Sequence, residues 1–175
     1  MLWRIFVIAT VCLYGVSAVD QDLESSVLSQ HFMPAELKEF LRQLKLRDVL
    51  VFKRIIDKNP SLELRSNKEI MQVIEQESPS LAKKLKSVLD VIHKKIEELG
   101  PEARDFATKF LEEDPEFTQK LRGGERMKPG MVLLHYMNEY ARLSTEAKMD
   151  FSSKFPEVAA ALSDPLLRII IYASQ

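Results

Sequence analysis

The sequence predicts an all-α protein, a single domain of many short amphipathic helices. Three observations carry this. Apolar residues recur three and four positions apart along most of the chain. All eight prolines stand where a helix can begin or has just ended, and several follow a capping or breaking residue, as in Ser78-Pro79, Gly100-Pro101, Asp114-Pro115 and Asp164-Pro165. No segment alternates apolar with polar residues at the period of two that a half-buried strand shows.

The chain opens on a segment with a different purpose. Met1-Leu2-Trp3-Arg4 carries one positive charge, Ile5 to Val16 is apolar apart from Thr10 and Gly15, and Val16-Ser17-Ala18 precedes polar Asp20-Gln21-Asp22. This is the pattern of a secretory signal peptide, with cleavage expected after Ala18. An uncleaved anchor would need roughly 20 apolar residues to cross about 30 Å of hydrocarbon, and this run is shorter. Residues 1–18 are therefore expected to leave, residues 19–32 to form a flexible N-terminal segment, and residues 33–175 to fold. The only cysteine, Cys12, and the only tryptophan, Trp3, leave with the signal. A secreted protein without disulfides must stand on its own core, and 46% hydrophobic residues can supply one.

From Pro34 onward the helices follow in order. Leu37, Phe40, Leu41 and Leu44 share one face of the first. Val49, Phe52, Ile55 and Ile56 do so in the second, which Asn59-Pro60 ends. Ser66-Asn67-Lys68-Glu69 has capping-box spacing and opens a helix with Ile70, Val73 and Ile74 inward. The longest element is expected from Pro79 to Leu99, with Gly100 to terminate it. Its stripe of Leu81, Ala82, Leu85, Val88, Leu89, Ile92, Ile96 and Leu99 is too wide for a coiled-coil seam and suits a helix in a globular core. A helix with Phe106, Phe110 and Leu111 follows, then a short one around Phe117 and Leu121, broken by Gly123-Gly124. Pro129 to Leu143 turns Leu133, Leu134, Tyr136, Met137, Tyr140 and Ala141 to one side, and His135, Asn138, Glu139 and Arg142 to the other. Short helices are expected over 145–154, 156–163 and 165–173. The apolar tail Leu166 to Tyr172 is too short to span a bilayer and reads as a docked last helix, the sharper alternative being a membrane-touching tail.

Catalytic and metal-binding constellations are missing from the pattern. The processed chain has no thiol, and His31, His93 and His135 stand far apart with no partner at metal-ligand spacing. Removing Arg4 takes the formal charge from −1 to −2, which gives no electrostatic case for nucleic acid. The acidic run Glu112-Glu113-Asp114 with Glu116 suits a solvated helix junction. Ser66-x-x-Glu69 and Ser87-x-x-Asp90 match an acidic-directed kinase pattern, but a cap accounts for Ser66 and Ser87 lies mid-helix. No catalytic residue, metal or cofactor is expected.

Several phrases then add up. Phe32-Met33-Pro34-Ala35-Glu36-Leu37-Lys38-Glu39-Phe40 resembles the opening of the nematode fatty-acid- and retinol-binding proteins. The likeness continues through Leu81-Ala82-Lys83-Lys84-Leu85, Lys94 to Ala103, Leu143 to Lys148 and Phe155-Pro156, in order and spacing across nearly the whole mature chain. The second helix departs from the family pattern with Leu46-Arg47-Asp48-Val49, as does Gly123-Gly124-Glu125-Arg126.

The resemblance implies a flat helical fold around an apolar cavity. It also implies reversible, non-enzymatic binding of long-chain fatty acids and retinol; with the signal segment, the expectation is a secreted carrier, monomeric, with transient membrane contact for ligand transfer. The alternative is a secreted helical protein that binds membranes or partner proteins through an amphipathic face. Under the carrier reading Phe40, Phe52, Leu85, Leu89, Ile92, Phe106, Phe110, Leu134 and Met137 would line the cavity, though ordinary core packing explains each of them singly. Lys84 and Lys95 flank the stripe of the long helix. They are candidates to meet a carboxylate at a portal, or else boundary lysines laying their stems on apolar surface.

Overall fold

Proline at the first helical position sets much of the architecture in a computed structural model that describes residues 31–59, 67–112 and 129–173. The expected signal segment, most of the N-terminal segment, Ser66, and the region of Phe117, Leu121 and Gly123-Gly124 lie outside the described residues. Helices α1 (Ala35–Arg42), α2 (Leu46–Lys58), α3 (Asn67–Glu77) and α4 (Pro79–Glu97) come first. After α5 (Pro101–Ala107) the helix widens into a π turn (Thr108–Glu112), and α6 (Pro129–Arg142), α7 (Thr145–Lys154), α8 (Pro156–Ser163) and α9 (Pro165–Ala173) complete the order. No strand occurs among the described residues, so the all-α expectation holds.

Each junction has a local cause. Ser78 Oγ accepts from the Leu81 N–H at 3.4 Å and Pro79 follows at the first position of α4. At the far end the Arg104 guanidinium donates to the Glu97 and Leu99 carbonyls, supplying partners that the last turn of α4 lacks. Ser144 Oγ accepts from the Ala147 N–H at 3.2 Å to open α7, and Asp164 Oδ1 accepts from the Leu166 N–H at 2.7 Å to open α9. Helix α4 is the spine, packed by α1 and α3 and touching α5. Helix α7 packs on α5 and α8, α6 packs on α8 and α9, and α2 lies against α3.

One continuous apolar cluster runs through all these elements, from Phe32 to Ile171. Phe32, at the end of the segment expected over residues 19–32, is buried in this cluster. Two positions differ from the periodic reading of α6: Val132 is buried while Ala141 is exposed. The buried stripe of α6, which packs on α8 and α9, takes in Val132 and leaves out Ala141. The last helix docks through Ile171 and half-buried Leu167, leaving Leu166, Ile169, Ile170 and Tyr172 exposed.

Candidate functional site

The candidate site is the apolar interior formed by the one cluster to which α1–α4 and α5–α9 both contribute. In the first half its wall is mostly aliphatic, with Leu81, Leu85 and Ile92 of α4 and Ile70 and Ile74 of α3 almost wholly removed from water. The second half adds a group of aromatic rings to its aliphatic side chains. The Phe106 and Phe110 rings, four positions apart on one helix face, stack at 5.8 Å and 7°, and Phe110 and Leu111 of the π turn are both buried. Phe151 meets Phe106 edge-on at 5.2 Å and Tyr140 at 5.6 Å, and Tyr136 meets Phe110 at 5.1 Å. Such edge-to-face pairs fix ring orientation and add about 0.5–1.5 kcal/mol beyond the area they bury.

The polar tips in this region are turned to partners. Tyr136 Oη donates to the Lys109 carbonyl at 3.4 Å. Burial pushes the Tyr140 phenol above its usual pKa, and a hydrogen bond with Ser163 offsets part of that rise. The only buried charged side chain among the described residues is Asp48. Its carboxylate accepts from Lys84 Nζ at 3.1 Å and from the Lys45 N–H at 3.3 Å, with Arg47 Nε at 3.8 Å.

All nine side chains expected to line a cavity belong to this one cluster. Phe40, Phe52, Leu85, Ile92, Phe106, Phe110, Leu134 and Met137 are buried in it, and Leu89 is half-buried against it. The two lysines already hold protein carboxylates. Lys84 pairs with Asp48, and Lys95 pairs with Glu36, donates to the Lys154 carbonyl at 3.4 Å and sits 5.7 Å from the centre of the Phe155 ring. A ligand carboxylate at Lys95 would have to displace Glu36. Tyr136, Tyr140, Phe151 and Phe155 are as central as any of the nine. Phe151 escapes the periodicity because α7 is otherwise polar, and its one signal is Ala147, a single turn earlier on the same face.

Around the interior runs a set of surface clamps. Lys38 pairs with Glu157, tying α1 to α8, and Lys154 pairs with Glu98. The Gly100 N–H donates to Asp150 at 2.6 Å, and Glu102 accepts from the Ser144 N–H at 2.9 Å. His93 contacts Glu112 at 2.5 Å and is held above its ordinary pKa, first by that hydrogen bond and then by the Glu112 charge, against partial desolvation. These groups bind each other across helix junctions, and none of these pairs lies in the aromatic wall.

Comparison with known proteins agrees with this architecture. Fatty-acid and retinol-binding protein 2 of Caenorhabditis elegans is 24% identical over 144 residues, covering 79% of this chain and 77% of its own length. Fatty-acid and retinol-binding protein 1 of the same organism is 23% identical over 129 residues, covering 71% of this chain and 69% of its own. Among solved structures, the fatty acid and retinol binding protein Na-FAR-1 from Necator americanus shares the fold, with a TM-score of 0.57 over 83% of this chain and 94% of that one at 23% identity. The family model described as nematode fatty acid retinoid binding protein (Gp-FAR-1) matches residues 30–172, which takes in every described helix but the last residue of α9. The chain belongs to the nematode fatty acid retinoid binding protein family.

Proposed function

We propose that the protein is a secreted, non-enzymatic monomeric carrier that reversibly takes long-chain fatty acids and retinol into its apolar interior. The observation that carries this is the family match over nearly the whole packed body. The interior supports it, because its wall offers aliphatic and aromatic side chains while its charged groups pair with one another at the rim. The driving force is burial. Each methylene moved out of water is worth about 0.8 kcal/mol, so a chain of about sixteen carbons gains on the order of 10 kcal/mol. Association and ordering take back several kcal/mol, which leaves affinity between micromolar and nanomolar. Phe40, Phe52, Leu85, Leu89, Ile92, Phe106, Phe110, Leu134 and Met137 are the proposed contacts, and Lys84 and Lys95 are the candidates for the carboxylate, which would compete there with Asp48 and Glu36. Secretion rests on residues 1–18, which have the composition of a signal peptide.

The test is titration of residues 19–175 with retinol and a fluorescent fatty-acid analogue, followed by displacement with oleate. This product lacks Trp3, so its own emission does not obscure either probe. Saturable blue-shifted emission that oleate reverses is the expected result. Folded, helical protein that shows neither would overturn the proposal.

A further inference from the structure

We propose that α2 is a docking face for anionic phospholipid bilayers. Leu46 and Leu50 stand one turn apart on its outer side, 74% and 52% exposed, opposite buried Asp48, Phe52 and Ile55. An exposed pair of leucines in a soluble protein is unremarkable alone. Here basic groups frame it. Arg47, Lys53, Arg54 and Lys58 expose 44–71% of their side chains, against Asp48 and Asp57 as the acids of the same helix. Asp48 faces inward to Lys84, so the outer side of α2 carries those four positive charges against Asp57 alone. Glu77 of α3 reaches Arg54 and Lys58, and the balance of the face stays positive. Lys45 adds a further exposed cation just before the helix. The whole chain, by contrast, has a formal charge of −1, so the outer side of α2 is more positive than the chain as a whole.

That combination fits a bilayer interface. An amphipathic helix lying in the headgroup plane buries its apolar crest in the acyl boundary while its basic flanks meet anionic lipid. A nucleic acid would satisfy the cations and leave the leucines in water. Helix α9 exposes more apolar surface, but its one basic residue, Arg168, is hydrogen-bonded to Asn138, and nothing there selects charge. Docking by α2 needs no cargo, so it stands or falls separately from the carrier reading.

The test is flotation of residues 19–175 with phosphatidylcholine vesicles, alone or mixed with phosphatidylserine, without added ligand. Removing residues 1–18 matters because their apolar run would itself partition. Binding is expected to the mixed vesicles and to weaken with salt. Leu46→Ser with Leu50→Ser should lower the partition coefficient at least roughly tenfold. Arg47→Gln with Arg54→Gln should lower it by roughly fivefold for each charge removed and abolish the preference for phosphatidylserine. Far-UV circular dichroism confirms that the variants remain helical. Leu166→Ser with Ile169→Ser on α9 should bind as the parent does. No binding to mixed vesicles, equal binding to neutral ones, undiminished binding by the α2 variants, or loss confined to the α9 variant would each overturn the proposal.

Discussion

Replacing Lys84 by methionine strands a buried carboxylate, and the response to that change measures how α2 is held to the spine. Asp48 is 3% exposed, and its partners are Lys84 Nζ at 3.1 Å, the Lys45 N–H at 3.3 Å and Arg47 Nε at 3.8 Å. Breaking a buried ion pair from one side typically costs about 3–5 kcal/mol. Lys84 is 44% exposed, so solvent already weakens the pair, and the Lys45 N–H and the nearby Arg47 charge remain; we expect about 2 kcal/mol. Asp48→Asn leaves an acceptor for the Lys45 N–H and lets the ammonium hydrate, for about 1 kcal/mol. The two halves of one contact should therefore differ. Their pH dependence should differ as well. Burial acts to raise the Asp48 pKa, but hydrogen bonds from Lys84 and the Lys45 N–H, with the Lys84 and Arg47 charges, outweigh it and hold the carboxyl below its usual range. A depressed carboxylate contributes stability that is complete above the unfolded pKa, about 3.9, and is lost as pH falls through the lower folded value. Without Lys84 the burial is opposed less and the folded pKa climbs, so proton uptake relieves the variant. Its deficit should shrink as pH falls from 7 toward about 4. Urea unfolding followed by far-UV circular dichroism at both pH values reads this directly. A Lys84→Met deficit no larger than that of Asp48→Asn at pH 7, or one unchanged at the lower pH, would refute the reasoning.

Other parts of the fold give sharper single readings. The His93 pKa, followed by the ring proton resonances, should lie above the ordinary value of about 6.5 and fall in Glu112→Gln. Its contribution is complete below that unfolded value and is lost as pH rises through the raised folded one. Phe151→Ala removes the ring that touches Phe106, Tyr140 and Phe155 and should cost about 3–5 kcal/mol in urea unfolding. Ser144→Ala deletes the acceptor for the Ala147 N–H and should cost about 1 kcal/mol, visible as a lowered thermal midpoint.

Helix order and most boundaries were legible because their causes are local. Pro156 and Pro165 start α8 and α9 where a missing N–H does no harm, and the residue before each shows where the preceding helix ends. The long stripe of α4 was legible for the same reason, since each apolar residue repeats the face of the one a turn before. Legibility failed where the cause lies elsewhere in the chain. Asp48 and Lys84 are 36 positions apart, and Lys95 and Glu36 are 59 apart, so periodicity showed two boundary lysines and no acid for either. The π turn was also invisible, because Phe106, Phe110 and Leu111 read as one face of an ordinary helix and nothing in their spacing marks the wider turn. Phe151 sits on a helix whose other residues are mostly polar, so tertiary packing, not pattern, makes it central.

The contrast between the two walls bears on where a ligand makes room. Directional ring contacts among Phe106, Phe110, Tyr136, Tyr140 and Phe151 define one arrangement, and parting any two forfeits oriented contact as well as area. Aliphatic packing by Ile70, Ile74, Leu81, Leu85 and Ile92 carries no such orientation, and cores of this kind accept repacking at modest cost when total volume is kept. An acyl chain entering the interior should therefore displace the α3–α4 side chains first and leave the aromatic set nearly in place. Methyl-labelled protein titrated with oleate tests this: the larger shifts should fall on the Ile70, Ile74, Leu85 and Ile92 methyls, with the Phe151 and Tyr140 ring resonances moving little. The reverse pattern would mean that the aromatic wall opens and that its ring contacts are weaker restraints than their geometry implies.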